Sequence, residues 1–132
     1  MSRLNRRHLL QAALAVTAPA AVAQTGFPSR PIKFIVPYPP GGATDLVGRL
    51  LAARLQESWG QNVVVENKAG ASGMIGSEMV ARSAPDGHTV LVGITTHIQN
   101  SAIFAKVPYD PLKDFEPVSQ ICLSYLVLVV KP

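Results

Sequence analysis

The order of apolar runs and small-residue loops in this sequence predicts an α/β domain with a largely parallel sheet flanked by helices. Three observations carry that expectation. Short β-branched runs alternate with helical spacing along the chain, strand, helix, strand, helix, strand. In one sheet that rhythm implies parallel strands joined by right-handed crossovers. Each of the two helices also follows a loop built largely from proline, glycine and other small residues.

The elements follow in order. After a short polar lead from Gln24 to Ser29, Ile32-Lys33-Phe34-Ile35-Val36 reads as a strand buried on both faces. Leu46 to Trp59 carries apolar residues at 47, 51, 55 and 59, with 46 and 50 beside them, which is helical spacing on one face. That stripe, Trp59 included, is expected in the core. Thr44 or Asp45 is expected to cap the helix, and Gly60 to end it. Val63-Val64-Val65 is the second strand. A second helix is expected from about Met74 to Arg82, with Ile75 and Met79 on one face. Pro85-Asp86-Gly87 is a turn: proline sets φ, and Asp and Gly suit the later positions. Thr89 to Ile94 is the third strand. A looser segment with Pro108, Pro111 and Pro117 leads to Val118–Val130, expected as two strands or one long bent strand, with Cys122 a buried thiol within it.

The N-terminus has a different logic. Arg3, Arg6 and Arg7 precede an acid-free apolar run from Leu9 to Ala18, and Ala21-Val22-Ala23 has the small-x-small pattern of a cleavage site. Residues 1–23 are expected to be an export signal cut near Ala23-Gln24. The apolar run is about half the roughly twenty residues a membrane span requires. Asn5-Arg6-Arg7-His8-Leu9-Leu10-Gln11 also resembles a twin-arginine signal, so either export route fits. The whole chain has 12 basic and 8 acidic residues. Three of the arginines lie in residues 1–23, leaving 9 against 8 and a net charge near +1. No basic run with interleaved aromatics remains, which argues against nucleic acid as a partner. The expected location is the periplasm.

The loops carry the chemistry. Val36-Pro37-Tyr38-Pro39-Pro40-Gly41-Gly42-Ala43-Thr44-Asp45 passes from strand to helix, as does Asn67-Lys68-Ala69-Gly70-Ala71-Ser72-Gly73. Ligands of open α/β sheets bind at that edge. Helix N-termini there offer unpaired N–H groups and partial positive charge. Glycine lets a backbone approach closely, and proline keeps the loop rigid. Two such loops facing one crevice suit an anion. A nucleotide phosphate fits poorly, since neither Gly-x-x-x-x-Gly-Lys-Ser/Thr nor Gly-x-Gly-x-x-Gly occurs. A carboxylate fits better, and no cofactor is implied.

With "VPYPPGGATD" followed by "VVVENKAGASGMIGSEMVARSAPDGHTVLVG" and "YDPLKDFEPVS", the chain resembles the substrate-binding proteins of tripartite tricarboxylate transporters, the Bug or TctC-like periplasmic receptors. The resemblance runs from about Pro28 to Pro132. It implies a type II periplasmic-binding-protein fold whose two lobes close on a small organic acid: a di- or tricarboxylate, an amino acid or an aromatic acid. It also implies delivery of that ligand to membrane permease subunits. Residues 24–132 would then be the first lobe, incomplete and without the second. Carried over by position, the ligand contacts are Tyr38, Pro40, Gly41, Gly42, Ala43, Thr44 and Asp45 in the first loop. Ala71, Ser72, Gly73, Met74 and Ile75 supply the second, and Thr95, Thr96 and His97 lie past the third strand.

Other readings stand beside this one. Asp45 serves as a helix cap or recognises a ligand amino group or water; Tyr38 packs on the ligand or only walls the crevice. Ser72 or Thr44 would be a nucleophile only with a matched base. His88 reads as solvated surface and His97 as a polar loop residue, and neither completes a triad or a zinc site. An exported hydrolase is therefore the weaker alternative, and no catalysis is expected. A remnant or interaction module is the other, favoured if the apolar surface after Val118 is left open.

Overall fold

The computed structural model describes residues 26–125 and 127–131; the expected export signal lies outside them. Three parallel strands form one sheet in the order β2-β1-β3: β1 is Ile32–Val36, β2 Val63–Asn67 and β3 Thr89–Leu91. Ile32 pairs with Val63 and runs in register to Val36 with Asn67, while Lys33 to Ile35 pair with Thr89 to Leu91. Helix α1, Ala43–Trp59, connects β1 to β2. A short 3-10 turn, Ala71–Gly73, runs into α2, Met74–Ala81, and α3 spans Thr96–Ile103.

The core follows from the period of the strand. Ile32, Phe34 and Val36 project to one face and pack with Ala52 of α1, Val63 and Val92. On the opposite side α2 lies against Pro37, so close that a Cβ on Gly76 would sit 2.8 Å from the Pro37 Cβ. Helices therefore cover both faces of the sheet, as a parallel α/β arrangement demands. The strand order reverses direction at β1, which puts the carboxyl ends of β1 and β3 at the switch point where such sheets bind ligands.

Several expectations change. Helix α1 turns small residues, Gly48 and Ala52, toward the sheet, and Gly48 lies near Val36 and Val92. Close approach through small residues leaves Val47, Leu51 and Leu55 half-buried and places Leu46, Leu50 and Trp59 on the surface rather than in the core. The third strand ends at Leu91, and the region beyond coils into α3 instead of continuing as strand to Ile94. The described residues after Val118 form no strand, because no neighbouring edge pairs with their backbone. Cys122 is consequently exposed, not buried. His88 is buried instead of solvated: its N–H donates to Asp86 Oδ1 at 3.0 Å, and Phe27 covers its ring edge-on at 5.0 Å. Among the described residues no helix is long and apolar enough to cross a membrane.

Candidate functional site

The first loop leaves β1 at Val36 and enters α1 at Ala43. Gly42 is the N-cap, with no side-chain capping bond, so neither Thr44 nor Asp45 caps the helix as expected. Asp45 lies in the first helical turn and reaches back. Its Oδ2 accepts the Gly41 N–H at 2.8 Å and Arg49 Nε at 3.0 Å, and its Oδ1 accepts Asn67 Nδ2 at 2.9 Å. The hydrogen bond from Arg49, then those from Gly41 and Asn67, lower the Asp45 pKa from 3.8 to about 2. This buried carboxylate is thus satisfied by the protein, and it holds Gly41 at φ +83°, a conformation glycine adopts without strain. Among the described residues, the N–H groups of Ala43 and Thr44 have no protein acceptor, while Gly42 closes a turn over Pro40 and Gly41.

Asn67 ties this loop to the next. As the last residue of β2 it also donates from Nδ2 to the Tyr38 carbonyl at 3.1 Å and accepts Arg49 Nη2 at 2.9 Å. The second loop then turns sharply. Ala71 and Ser72 adopt left-handed backbone at φ 45° and 54°, unusual for residues with a Cβ. Gly73 N–H donates to Gly70 O at 2.9 Å and Met74 N–H to Ala71 O, so these two donors are spent inside the loop. No protein acceptor among the described residues meets the N–H groups of Ala71 and Ser72. Ile75 is exposed at the start of α2 and lies over Gly70.

The third expected group joins the other two. The Tyr38 hydroxyl hydrogen-bonds the Thr96 hydroxyl across the switch point, and the Tyr38 ring lies beside Gly73. Tyr38, Gly73 and Thr96 therefore come together, while Pro40, Gly41 and Gly42 remain exposed at the rim. Thr95 caps α3 by position, without a side-chain bond.

His97 is helical rather than a loop residue. Its Nδ1 is 3.2 Å from Ser77 Oγ, the ring stacks on Tyr109 at 4.9 Å, and Phe115 meets it edge-on at 4.5 Å. Burial lowers its pKa, opposed by a hydrogen bond to the Pro111 carbonyl. Ser77 is 1% exposed, and among the described residues no carboxylate orients the ring, so this serine–histidine contact pins the 109–115 segment to α2 instead of presenting a nucleophile. Asn100, also 1% exposed, donates to the Ser72 carbonyl at 3.0 Å. Neither Asn67 nor Asn100 stood out in the sequence, where asparagine reads as a turn residue.

An open parallel sheet with two small-residue loops at its carboxyl edge has the arrangement at which α/β proteins bind ligands. The chain belongs to the tripartite tricarboxylate transporter receptor family, whose pattern it matches over residues 47–132. A Pseudomonas protein encoded in the tcbD-tcbE intergenic region is 43% identical over 133 residues, covering 98% of this chain. MatC of Rhodopseudomonas palustris with bound malate superposes with a TM-score of 0.66 at 45% identity over 70% of this chain. A second R. palustris protein, solved with adipate, gives 0.62 at 40% identity over 64%. The chain spans 40% of the Pseudomonas relative and 32% and 29% of the two solved structures. The type II periplasmic-binding-protein fold expected from the resemblance is thus borne out for the part present.

Proposed function

We propose that residues 24–132 form the first lobe of a periplasmic receptor that captures a small organic carboxylate and delivers it to tripartite tricarboxylate-type permease subunits. The observation that carries this reading is the pair of strand-to-helix loops whose N–H groups at Ala43, Thr44, Ala71 and Ser72 lack protein acceptors among the described residues. Unpaired donors at a helix N-terminus favour an anion, and the exposed rim of Pro40, Gly41 and Gly42 leaves room for one. Tyr38 and Thr96 would wall the crevice, and Asp45 would act through Gly41 rather than on the ligand. The malate and adipate held by the two solved relatives support a dicarboxylate as the first class to test. Export through the signal in residues 1–23 would place the receptor with its ligand outside the cytoplasm.

The test uses the chain expressed with its own signal, purified from the periplasm and labelled with ¹⁵N. Titration with malate to about 100 mM is expected to shift the amides of residues 41–45, 71–75 and 95–97 and leave the remainder of the fold unmoved. Shifts scattered over the surface, or none, would sink the proposal. The alternative of an interaction module rests on the exposed apolar residues from Ile121 to Val130 and would show as concentration-dependent association without malate.

A further inference from the structure

We infer that Asn100 is a positioning residue for the second loop, holding the Ser72–Gly73 peptide in the one orientation that keeps the Ala71 and Ser72 N–H groups free. This rests on the carboxylate-receptor reading for its purpose but on the geometry alone for its substance. Two consecutive residues with side chains, Ala71 and Ser72, occupy left-handed backbone, a conformation that persists only where the surroundings enforce it. The peptide that follows them is held at both ends. Its N–H, on Gly73, donates to Gly70 O at 2.9 Å, a bond within the loop. Its carbonyl, on Ser72, accepts Asn100 Nδ2 at 3.0 Å, a bond from outside the loop and 28 residues away in sequence.

Asn100 suits that task because its own geometry is fixed. It lies on α3 with 1% exposure, so water does not compete for its amide. The same Nδ2 lies 3.4 Å from the Tyr109 hydroxyl, which in turn donates to the His97 carbonyl at 3.1 Å. The amide carries two hydrogens, so this longer contact occupies the second and leaves the bond to Ser72 independent of it. A serine would fall short of the Ser72 carbonyl, and a leucine would match the shape without the donor. The segment after β3, although it supplies only Thr95, Thr96 and His97 as candidate contacts, would set the geometry of a loop it does not adjoin in sequence.

The experiment is residue-resolved amide exchange on the purified, exported chain and on two variants. Asn100→Leu keeps the volume and removes the donor. Gly73 and Met74 are expected to exchange at least about tenfold faster in it, while Ile32 and Val92 in the sheet stay within about twofold. Tyr109→Phe removes the hydroxyl but spares the Asn100–Ser72 bond, and Gly73 and Met74 are expected to stay protected. Unchanged protection in Asn100→Leu, or equal acceleration throughout the sheet, would overturn the inference; so would loss of loop protection in Tyr109→Phe. Malate titration of the same samples separates the two claims. A wild-type chain that ignores malate would refute the receptor reading while the exchange result still decides the role of Asn100. Where the wild type does bind, Asn100→Leu is expected to weaken it by about tenfold at a temperature where both chains are fully folded.

Discussion

At the scale of single residues, Asp45 shows how one buried charge can organise a loop. Its carboxylate gathers donors from Gly41, Arg49 and Asn67. Its pKa in the folded chain falls from 3.8 to about 2, chiefly through Arg49, so the folded state prefers the ionised form more than the unfolded chain does. The stability it adds is present above about pH 4 and is lost as the pH falls toward about 2. Asp45→Asn is therefore expected to lower the melting temperature at pH 7 and to flatten its decline between those limits, measured by thermal melts across the range. A parallel decline in both proteins would remove Asp45 from the account. The sequence made Gly41, Gly42 and Asp45 legible because glycine pairs and acids at helix starts have local meaning. It could not expose Asn67 or Asn100, since the loop groups they hold, Tyr38 and Asp45 for Asn67 and Ser72 for Asn100, lie 22 to 29 residues away and only the fold brings them close.

At the scale of elements, the strand-helix alternation was readable because each run had its own period and each stop its own residue. Gly60 ends α1 in left-handed backbone at φ 66°, as its position in the sequence implies. Helix α3 was not readable: Thr96-His97-Ile98-Gln99-Asn100 mixes β-branched and polar residues, and tertiary contacts through His97 and Asn100 override weak helix propensity. The apolar run after Val118 misled in the opposite direction, because hydrophobicity announces a strand only if an edge is there to pair with it. Helix α2 yields a sharper prediction. A Cβ on Gly76 would lie 2.8 Å from Pro37 Cβ, 2.9 Å from Pro37 Cα and 3.0 Å from the Lys68 carbonyl, two of these being backbone atoms that cannot rotate away. Gly76→Ala must push α2 off the sheet and is expected to destabilise by about 1–3 kcal/mol, read as a lower urea midpoint at constant slope. Gly26→Ala, where a Cβ meets nothing within 4 Å, should stay within about 0.5 kcal/mol. Equal midpoints for the two would mean that Gly76 does not set the distance between α2 and β1.

At the scale of the whole molecule, the question is how tightly these two loops hold a carboxylate by themselves. Four to six backbone hydrogen bonds at about 1 kcal/mol each, with about 2 kcal/mol more from two helix ends, give roughly 4–8 kcal/mol of gross attraction for a carboxylate. Immobilising the ligand costs about 4 kcal/mol or more, and the open rim at Pro40, Gly41 and Gly42 keeps water in competition for every donor. The net cannot much exceed that of a millimolar complex, about −4 kcal/mol. The relatives solved with malate and adipate are about three times as long as the region they share with this chain, and closure of two domains around a ligand is the established way to expel that water. Calorimetry on the exported chain is therefore expected to give a Kd no tighter than about 1 mM for malate, and a receptor that includes both lobes should bind at least about a hundredfold more tightly. Micromolar binding by the chain alone would show that the two loops of this lobe, held by Asp45, Asn67 and Asn100, are rigid enough to select their ligand without a second jaw.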